Sequence, residues 1–288
     1  MSRVLACGLA TVDVLQTVEH VPGPNEKVTT LDTLVEAGGP ALNGAVTAAL
    51  LGVQARLVTA VGVAGLGAVV RSDCADHGVD LVDVAPADYA VPVSTVLVTA
   101  STGERAVASR NAADATGWPV PDDDVLAAAL DGVTAVLVDG HHLPVGVAVA
   151  AAAQAAGIPV LLDAGSWKPG LEALVAHVDV LVASADFRSP AGDSLPELLA
   201  LGPSWVSRSA GGEPVTWLAA DGSSGEVPVP VVDVVDTLGA GDVLHGAFLA
   251  AIGERGTTDL PAALAFAVGV AARSVAAPGA RGWARPTP

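Results

Sequence analysis

Short apolar runs alternate with helical segments along most of the chain, and several of the helical segments close at a glycine. The run RVLACGL is followed by the helical pattern ALNGAVTAALLG, and TAVLVDG is followed by PVGVAVAAAAQAAG. Short apolar runs that are joined by helices are typical of buried parallel strands. The pattern therefore predicts an α/β fold with a doubly wound, mostly parallel sheet.

Two segments break this alternation. Residues Glu26–Ala37 and Val91–Arg110 are rich in Thr and Val at period two, and the second contains the turn STGE, which predicts a hairpin. We expect them to form a small β-sheet lid from insertions at about residues 12–37 and 91–112 of a single domain, 1–288. Such a lid would cover the carboxyl ends of the core strands, where ligands bind in folds of this kind.

The charge balance limits the class of partner. Thirty-one acidic residues against 13 Lys and Arg give a net charge of −18, which repels nucleic acid and requires local dipoles, a metal ion or a few arginines for any anionic ligand. No apolar run reaches membrane length, no secretion signal is evident at the start, and the two cysteines form no disulfide or zinc pattern. We expect a cytoplasmic protein whose partners are small molecules, with no nucleic acid and no membrane.

The stretch VVDVVDTLGAGDVLHGAF carries the strongest chemical signal. We predict a strand over Val231–Val235 and a helix from Val243 onward, with Gly239, Ala240 and Gly241 in the opening turn. Free N–H groups at a helix start attract anions, and glycines allow a phosphoryl group to approach the backbone. A carboxylate at Asp242 would then be placed to take the proton of an attacking hydroxyl. The alternative is a glycine-rich turn in which Asp242 only caps the helix.

The segment DTLGAGD closely resembles the DTxGAGD signature of the ribokinase-like (PfkB-type) carbohydrate kinases, and GLATVDVL, GGPALNGAVTAALLG and the tail FAVGVAARSVAAPGARG resemble further family segments in the same order. The likeness covers most of the chain and is greatest to the ketohexokinase and sulfofructose kinase branches. It implies an ATP-dependent kinase that phosphorylates a primary hydroxyl of a small, ketose-like sugar, with ATP and Mg²⁺ as cofactors. An adenosine-type nucleoside kinase and a degenerate sugar- or nucleotide-binding sensor stay open as alternatives.

The resemblance also assigns roles to residues. It implies Asp242 as the base, with Gly239, Ala240 and Gly241 as the anion hole. The implied substrate contacts are Asp13, Gly38, Gly39, Asn43, Lys27, Arg110 and His141. The implied nucleotide contacts are Ser184, Ser207, Gly212, Thr237 and Gly269. The implied monovalent cation site, for K⁺, comprises Asp236, Ala277 and Gly279.

Several of these assignments have competing interpretations. Asn43 could brace a helix instead of binding sugar. Asp13 could be a turn residue at the end of a strand. His245 is predicted to pack between helices. Many family members carry Asn-x-x-Glu where this chain has SADF (Ser184–Phe187), so the resemblance leaves open how Mg²⁺ is held. A neutral sugar is favoured over a sulfonated one because His141 pairs poorly with a sulfonate. The lid also suggests a homodimer.

A dinucleotide-binding enzyme and a P-loop kinase fit less well. The segment GVAGLGAVV lacks the third glycine of the dinucleotide fingerprint, and neither Lys27 nor Lys168 follows a glycine.

Overall fold

The computed structural model describes residues 2–63, 65–110, 120–277 and 279–284. In chain order the strands are β1 (Arg3–Cys7), β2 (Thr11–Val18), β3 (Asp32–Gly38), β4 (Gln54–Thr59), β5 (Val79–Asp83), β6 (Val93–Thr99), β7 (Arg105–Ser109), β8 (Val133–Val138), β9 (Val160–Ala164), β10 (Val180–Ala183), β11 (Trp205–Ala210), β12 (Glu213–Ala219) and β13 (Ser224–Val227). The helices are α1 (Pro40–Leu50), α2 (Gly67–Asp76), α3 (Asp123–Leu130), α4 (Leu143–Ala155), α5 (Leu171–Val175), α6 (Leu195–Leu199), α7 (Ala240–Arg255) and α8 (Leu260–Ser274). Among the described helices, none is long and apolar enough to cross a membrane.

Nine strands form the main sheet, in the order β13-β12-β11-β10-β9-β8-β1-β4-β5. Every pairing from β11 to β5 is parallel, and only the β11–β12 and β12–β13 pairings are antiparallel. Alternate side chains of β1 enter two separate core layers: Val4 and Ala6 pack with α1, α7 and α8, whereas Leu5 and Cys7 pack with α3, α4 and α5. The predicted doubly wound, mostly parallel α/β sheet is confirmed.

A second sheet of four strands, in the order β3-β2-β6-β7, confirms the predicted small sheet. Strand β2 pairs antiparallel with β3 and parallel with β6, and β6 pairs antiparallel with β7. The part of the predicted strand segment before Asp32 is a loop, because β2 ends at Val18 and its last pair with β3 joins Thr17 to Asp32. The predicted end of the second insertion, residues 111–112, lies outside the described residues.

The strand predicted at Val231–Val235 is wrong. These residues adopt no regular structure, and the side chains of Val231, Val234 and Val235 are 101%, 64% and 63% exposed. Pro228 and Pro230 lack the N–H groups that a strand needs on entry, and the N–H of Val235 donates to the carbonyl of Val275 instead of to a sheet. The segment therefore lies on the end of α8, and the next helix begins at Ala240 rather than at Val243.

Helices α1 and α7 cross with their backbones in contact. A Cβ atom on Gly246 would lie 2.5 Å from the carbonyl oxygen of Gly44, so α7 has no room for a side chain at this crossing. Both glycines lie near the starts of their helices, and the crossing therefore brings the first turns of α1 and α7 together. These two turns carry the polar residues of the candidate site.

Candidate active site

The turn into α7 is built by Gly239. This residue is the N-cap with φ of 71°, a left-handed conformation that favours glycine, and a Cβ there would lie 2.6 Å from that of Ala280. No side chain caps the helix by a hydrogen bond, so the interpretation of Asp242 as a capping residue is wrong. The predicted anion-hole residues, Gly239, Ala240 and Gly241, lie at the N-cap and in the first turn of α7.

The carboxylate of Asp242 faces α1 rather than the end of its own helix. Its Oδ2 accepts a hydrogen bond of 2.7 Å from Nδ2 of Asn43. Burial and the nearby carboxylate of Asp163 raise the pKa of Asp242 to about 7, and the hydrogen bond from Asn43 opposes this rise. A carboxylate with a pKa near neutral accepts a proton more readily than an ordinary aspartate does.

The side chain of Asn43 joins Asp242 to an ion pair that sequence reasoning missed. Oδ1 of Asn43 accepts a hydrogen bond of 3.2 Å from Nη2 of Arg281, and Nη1 of Arg281 pairs with Asp73 on α2. Asp73 also lies 3.5 Å from Nδ1 of His77. The sequence signal was the tail PGARG, but nothing in its spacing relates Arg281 to Asp73, which lies 208 residues earlier.

A small polar pocket adjoins Asp242. Its lining consists of Asp13, Glu36, Ala37, Gly38, Gly39, Asn43, Leu238, Gly239, Asp242, Ala280 and Arg281. The structure thus brings together Asp13, Gly38, Gly39 and Asn43, all predicted from the sequence to bind substrate. Asp13 does not sit in a turn at the end of a strand, as one interpretation had it; it lies near the start of β2, in the second sheet, where its Oδ1 accepts a hydrogen bond of 2.8 Å from Thr11.

The other three predicted substrate contacts are not among the described residues that line this pocket. Lys27 is exposed in the loop between β2 and β3, and Arg110 is exposed just beyond β7. Nδ1 of His141 lies 3.2 Å from Oδ1 of Asp139. Their roles in binding stay predictions.

Buried acids lie beneath the pocket at the ends of β8 and β9. Asp139 accepts hydrogen bonds from the backbone N–H groups of Leu9, Ala41 and His141. Burial alone would raise the pKa of Asp139. The His141 side chain and the hydrogen bonds nevertheless hold this pKa well below its usual range. This carboxylate thereby fixes the start of α1.

Asp163 has the opposite environment. Burial, together with the charge of Asp139, raises the pKa of Asp163 to about 7. Its Oδ2 lies 3.2 Å from Nδ1 of His245, whose pKa is lowered by burial. His245 is buried, as a residue that packs between helices would be, and it also adjoins the acids of the site.

A larger cavity of about 500 Å³ lies on the other side of the α7 turn, within the range of small-molecule sites. Its lining is mostly apolar: Ser209, Gly211, Gly212, Val215, Val229, Pro230, Val231, Val232, Val234, Thr237, Ala240, Gly241, Leu244, Val268, Ala271, Ala272 and Val275. Of the predicted nucleotide contacts, Gly212 and Thr237 line this cavity. The cavity lining does not include Ser184, Ser207 or Gly269. Ser207 is fully buried in β11. Oγ of Ser184 donates to the carbonyl of Gly165 at 3.1 Å. Sequence reasoning missed Ser209 and Gly211.

Asp236, the predicted cation ligand, is already neutralised by an arginine. Its carboxylate accepts hydrogen bonds from the N–H groups of Leu238 (2.8 Å) and Gly279 (2.9 Å) and forms an ion pair with Arg105 of β7. Nη1 of Arg105 also donates to Oγ1 of Thr237 at 3.3 Å. Of the implied site, Gly279 thus contacts Asp236, whereas Ala277 donates to the carbonyl of Ser274. A K⁺ ion at Asp236 would have to share this carboxylate with Arg105 or displace it, and K⁺ binding here stays a prediction.

Comparisons with known proteins agree with this architecture. The ribokinase of Bacillus subtilis (strain 168) is 28% identical over 293 residues, which cover 98% of this chain and 96% of that protein. A crystal structure of a putative ribokinase from Agrobacterium tumefaciens superposes with a TM-score of 0.82 at 26% identity, covering 98% of this chain and 94% of the other. The Arabidopsis thaliana ribokinase complexed with ribose and ATP has the same fold, with a TM-score of 0.79 at 22% identity and coverage of 96% and 94%.

The family comparison covers the whole chain. Residues 1–288 match the model described as pfkB family carbohydrate kinase. With the DTLGAGD turn at the start of α7 and a ribokinase-like fold around it, the chain belongs to the pfkB family of carbohydrate kinases.

Proposed function

We propose that this carbohydrate kinase transfers the γ-phosphate of ATP to a primary hydroxyl of a small neutral, ketose-like sugar. One observation carries the proposal: the first turn of α7 is shared by two sites. Gly239 and Asp242 line the small polar pocket, whereas Ala240 and Gly241 line the apolar cavity. A sugar and a nucleotide that occupied these sites would meet at a helix N-terminus, which favours the negative charge of a transferred phosphoryl group.

Different residues of the pocket are proposed to bind the sugar and to accept its proton. We propose that Asp13 and Asn43 hydrogen-bond to sugar hydroxyls and that Asp242 receives the proton of the attacking hydroxyl. The pKa of Asp242, about 7, allows it to be ionised before transfer and to hold the proton afterwards. The N–H groups at the start of α7 would stabilise the transferred phosphoryl group, and positioning supplies much of the catalysis in such reactions.

ATP is expected to bring Mg²⁺ with it. In the part of the chain that the structure describes, no group of three or more His, Cys, Asp or Glu side chains is placed to hold a metal ion. Mg²⁺ commonly binds through substrate phosphates with few protein ligands. We therefore propose that Mg²⁺ is held mainly by the phosphates and neutralises their charge when bound.

The charges in the pocket support a neutral substrate. Asp13, Glu36 and Asp242 contribute carboxylates to its lining, and the guanidinium of Arg281 is engaged by Asp73 and Asn43. An anionic sugar would meet the charges of Asp13 and Glu36 there, together with that of Asp242 whenever it is ionised. Ribose is a second candidate, because the relatives at 28% and 26% identity are ribokinases.

Exposed apolar side chains on the second sheet are consistent with a homodimer. Val35 and Val93 are apolar and exposed on one face of its strands, and Leu34 and Val107 on the other. Exposed apolar side chains of this kind often mark a protein interface. We propose that two copies associate through this sheet.

The test is sugar-dependent release of ADP from ATP with fructose, tagatose, ribose, a sulfonated ketose and adenosine. We expect the highest kcat/KM with a neutral ketose and a fall in turnover of about 10²–10⁴-fold in Asp242→Asn, because a positioned base contributes that much. The control is Asp124→Asn, which removes an exposed charge at the start of α3. A preference for adenosine or for the sulfonated sugar would refute the substrate class, and more than about a tenth of wild-type turnover in Asp242→Asn would refute the base.

A further inference from the structure

We propose that Arg281 is a positioning residue for phosphoryl transfer, which it serves by fixing the Asn43 amide in the orientation that donates to Asp242. The proposal rests on the proposed function and concerns a residue outside the DTLGAGD turn. The path runs through three side-chain contacts: Asp73 pairs with Arg281, Arg281 donates to Oδ1 of Asn43, and Nδ2 of Asn43 donates to Oδ2 of Asp242.

The chemistry of the groups makes the orientation of Asn43 unambiguous. An amide side chain has one end that only donates and one that only accepts, whereas a guanidinium only donates. The end of Asn43 that faces Arg281 must therefore be the oxygen, and the NH₂ group must face Asp242. Without Arg281, the amide is free to turn its oxygen toward the carboxylate, which would repel it.

Arg281 is itself held firmly. Its side chain is 14% exposed, as is that of Asp73, and the pair joins the C-terminal loop to α2. His77 lies 3.5 Å from the same carboxylate. A guanidinium that bonds Asp73 and Asn43 through different nitrogens spans the two residues in a way that the single ammonium of a lysine does not.

The groups around Asp242 give this positioning a measurable effect. Burial and the carboxylates of Asp163 on β9 and Asp139 just beyond β8 raise its pKa, and His245 on its own helix lowers it. Asp13 and Glu36 of the second sheet line the same pocket. The hydrogen bond from Asn43 also favours the ionised form. If that bond is lost, Asp242 requires a higher pH to ionise, so the acid limb of the pH–rate profile moves to higher pH.

A double-mutant cycle separates positioning from a merely structural role. Arg281→Met is expected to lower kcat by roughly tenfold or more, because small displacements of a reacting group are costly. In the background of Asn43→Ala, the same substitution is expected to change kcat by less than about twofold, because its effect passes through Asn43. Additive effects of the two substitutions would overturn the proposal. Arg273→Met, which removes an exposed arginine at the end of α8, is the matched control.

A second measurement does not depend on turnover. The Asp242 carboxyl carbon is followed by ¹³C NMR as a function of pH and assigned by its loss in Asp242→Asn. We expect a higher titration midpoint than in the wild type in Arg281→Met and also in Arg281→Lys, which keeps a positive charge near the pocket, and an unchanged midpoint in Arg281→Lys would overturn the proposal. If Arg281→Met fails to fold, Arg281→Lys takes its place, since it keeps a cation for Asp73 and loses the donor to Asn43. If no sugar is phosphorylated by the wild type, the proposed function fails, and the NMR midpoint still decides the positioning role.

Discussion

Replacing Asp163 by Asn should stabilise the protein above neutral pH. Asp163 is 9% exposed, and its pKa of about 7 compares with 3.8 for an ordinary aspartate. A carboxyl whose pKa is raised by folding stabilises the folded state below its unfolded pKa, and this contribution is lost as the pH rises through the folded pKa. At about 1.4 kcal/mol per pKa unit, the ionised Asp163 costs roughly 4 kcal/mol of folding free energy at alkaline pH, as an upper value.

The substitution has an opposing cost. The substitution removes the carboxylate whose Oδ2 lies 3.2 Å from Nδ1 of His245, and the loss of a close polar contact of this kind costs about 1 kcal/mol. The net expectation is a gain of roughly 3 kcal/mol in the free energy of unfolding at about pH 8.5 and a change of less than about 1 kcal/mol at about pH 5. Removing the charge also lowers the pKa of Asp242, so the acid limb of the kcat/KM profile should move to lower pH.

Urea unfolding between about pH 5 and pH 8.5 measures the effect, because a change in midpoint at constant slope reports stability alone. Wild type should lose stability as the pH rises from about 5 to about 7 and then level off, and Asp163→Asn should lose less. The exposed Asp124→Asn serves again as the control for loss of one negative charge. A variant that is destabilised equally at both ends of the pH range would refute the reasoning, because Asp163 would then act as a hydrogen-bonding group and not as a buried charge.

Two further predictions concern the second sheet. Asp13→Ala should raise the sugar KM by about tenfold or more and leave the affinity for ATP unchanged, because sugar hydroxyls would lose a charged acceptor; an equal loss of both affinities, measured by steady-state kinetics and calorimetry, would point to a folding role instead. Wild-type turnover should differ by less than about twofold between K⁺ and tetramethylammonium at equal ionic strength, whereas Arg105→Met should be stimulated by K⁺, because Asp236 would then need another cation. A wild type that is strongly stimulated by K⁺ would show that Arg105 is displaced during turnover.

The sequence was sufficient for the parts of the molecule that local patterns encode. Alternating apolar runs and glycine-closed helices predicted the parallel sheet, and the period-two segments predicted the second sheet. The DTLGAGD turn located the start of α7 to within a few residues. Each of these depends on residues that are close in sequence, for which spacing is informative.

The failures have physical reasons of two kinds. The valines of 231–235 resemble a strand, but Pro228 and Pro230 precede them, and the N–H of Val235 donates to the carbonyl of Val275 at the end of α8. The pair of Arg105 with Asp236 spans 131 residues, and spacing within a sequence gives no information about such a contact. Sequence analysis thus identified Asp236 as a carboxylate that needs a positive partner, and only the folded structure shows that this partner is Arg105.

The contact between Gly44 and Gly246 has a consequence for how this enzyme can diversify. The distance between Asn43 and Asp242 depends on two backbones that touch where no side chain exists, so repacking of the surrounding core has little means to alter it. Asp13 and Glu36, by contrast, belong to strands of a different sheet. If Asp13 binds the sugar and Asp242 accepts the proton, as proposed, mutations in those strands would change which sugar is accepted while the proton acceptor keeps its place. Part of the substrate range would then be inherited separately from the chemistry, with Asn43 common to both, and directed evolution of new sugar specificity should begin with β2 and β3.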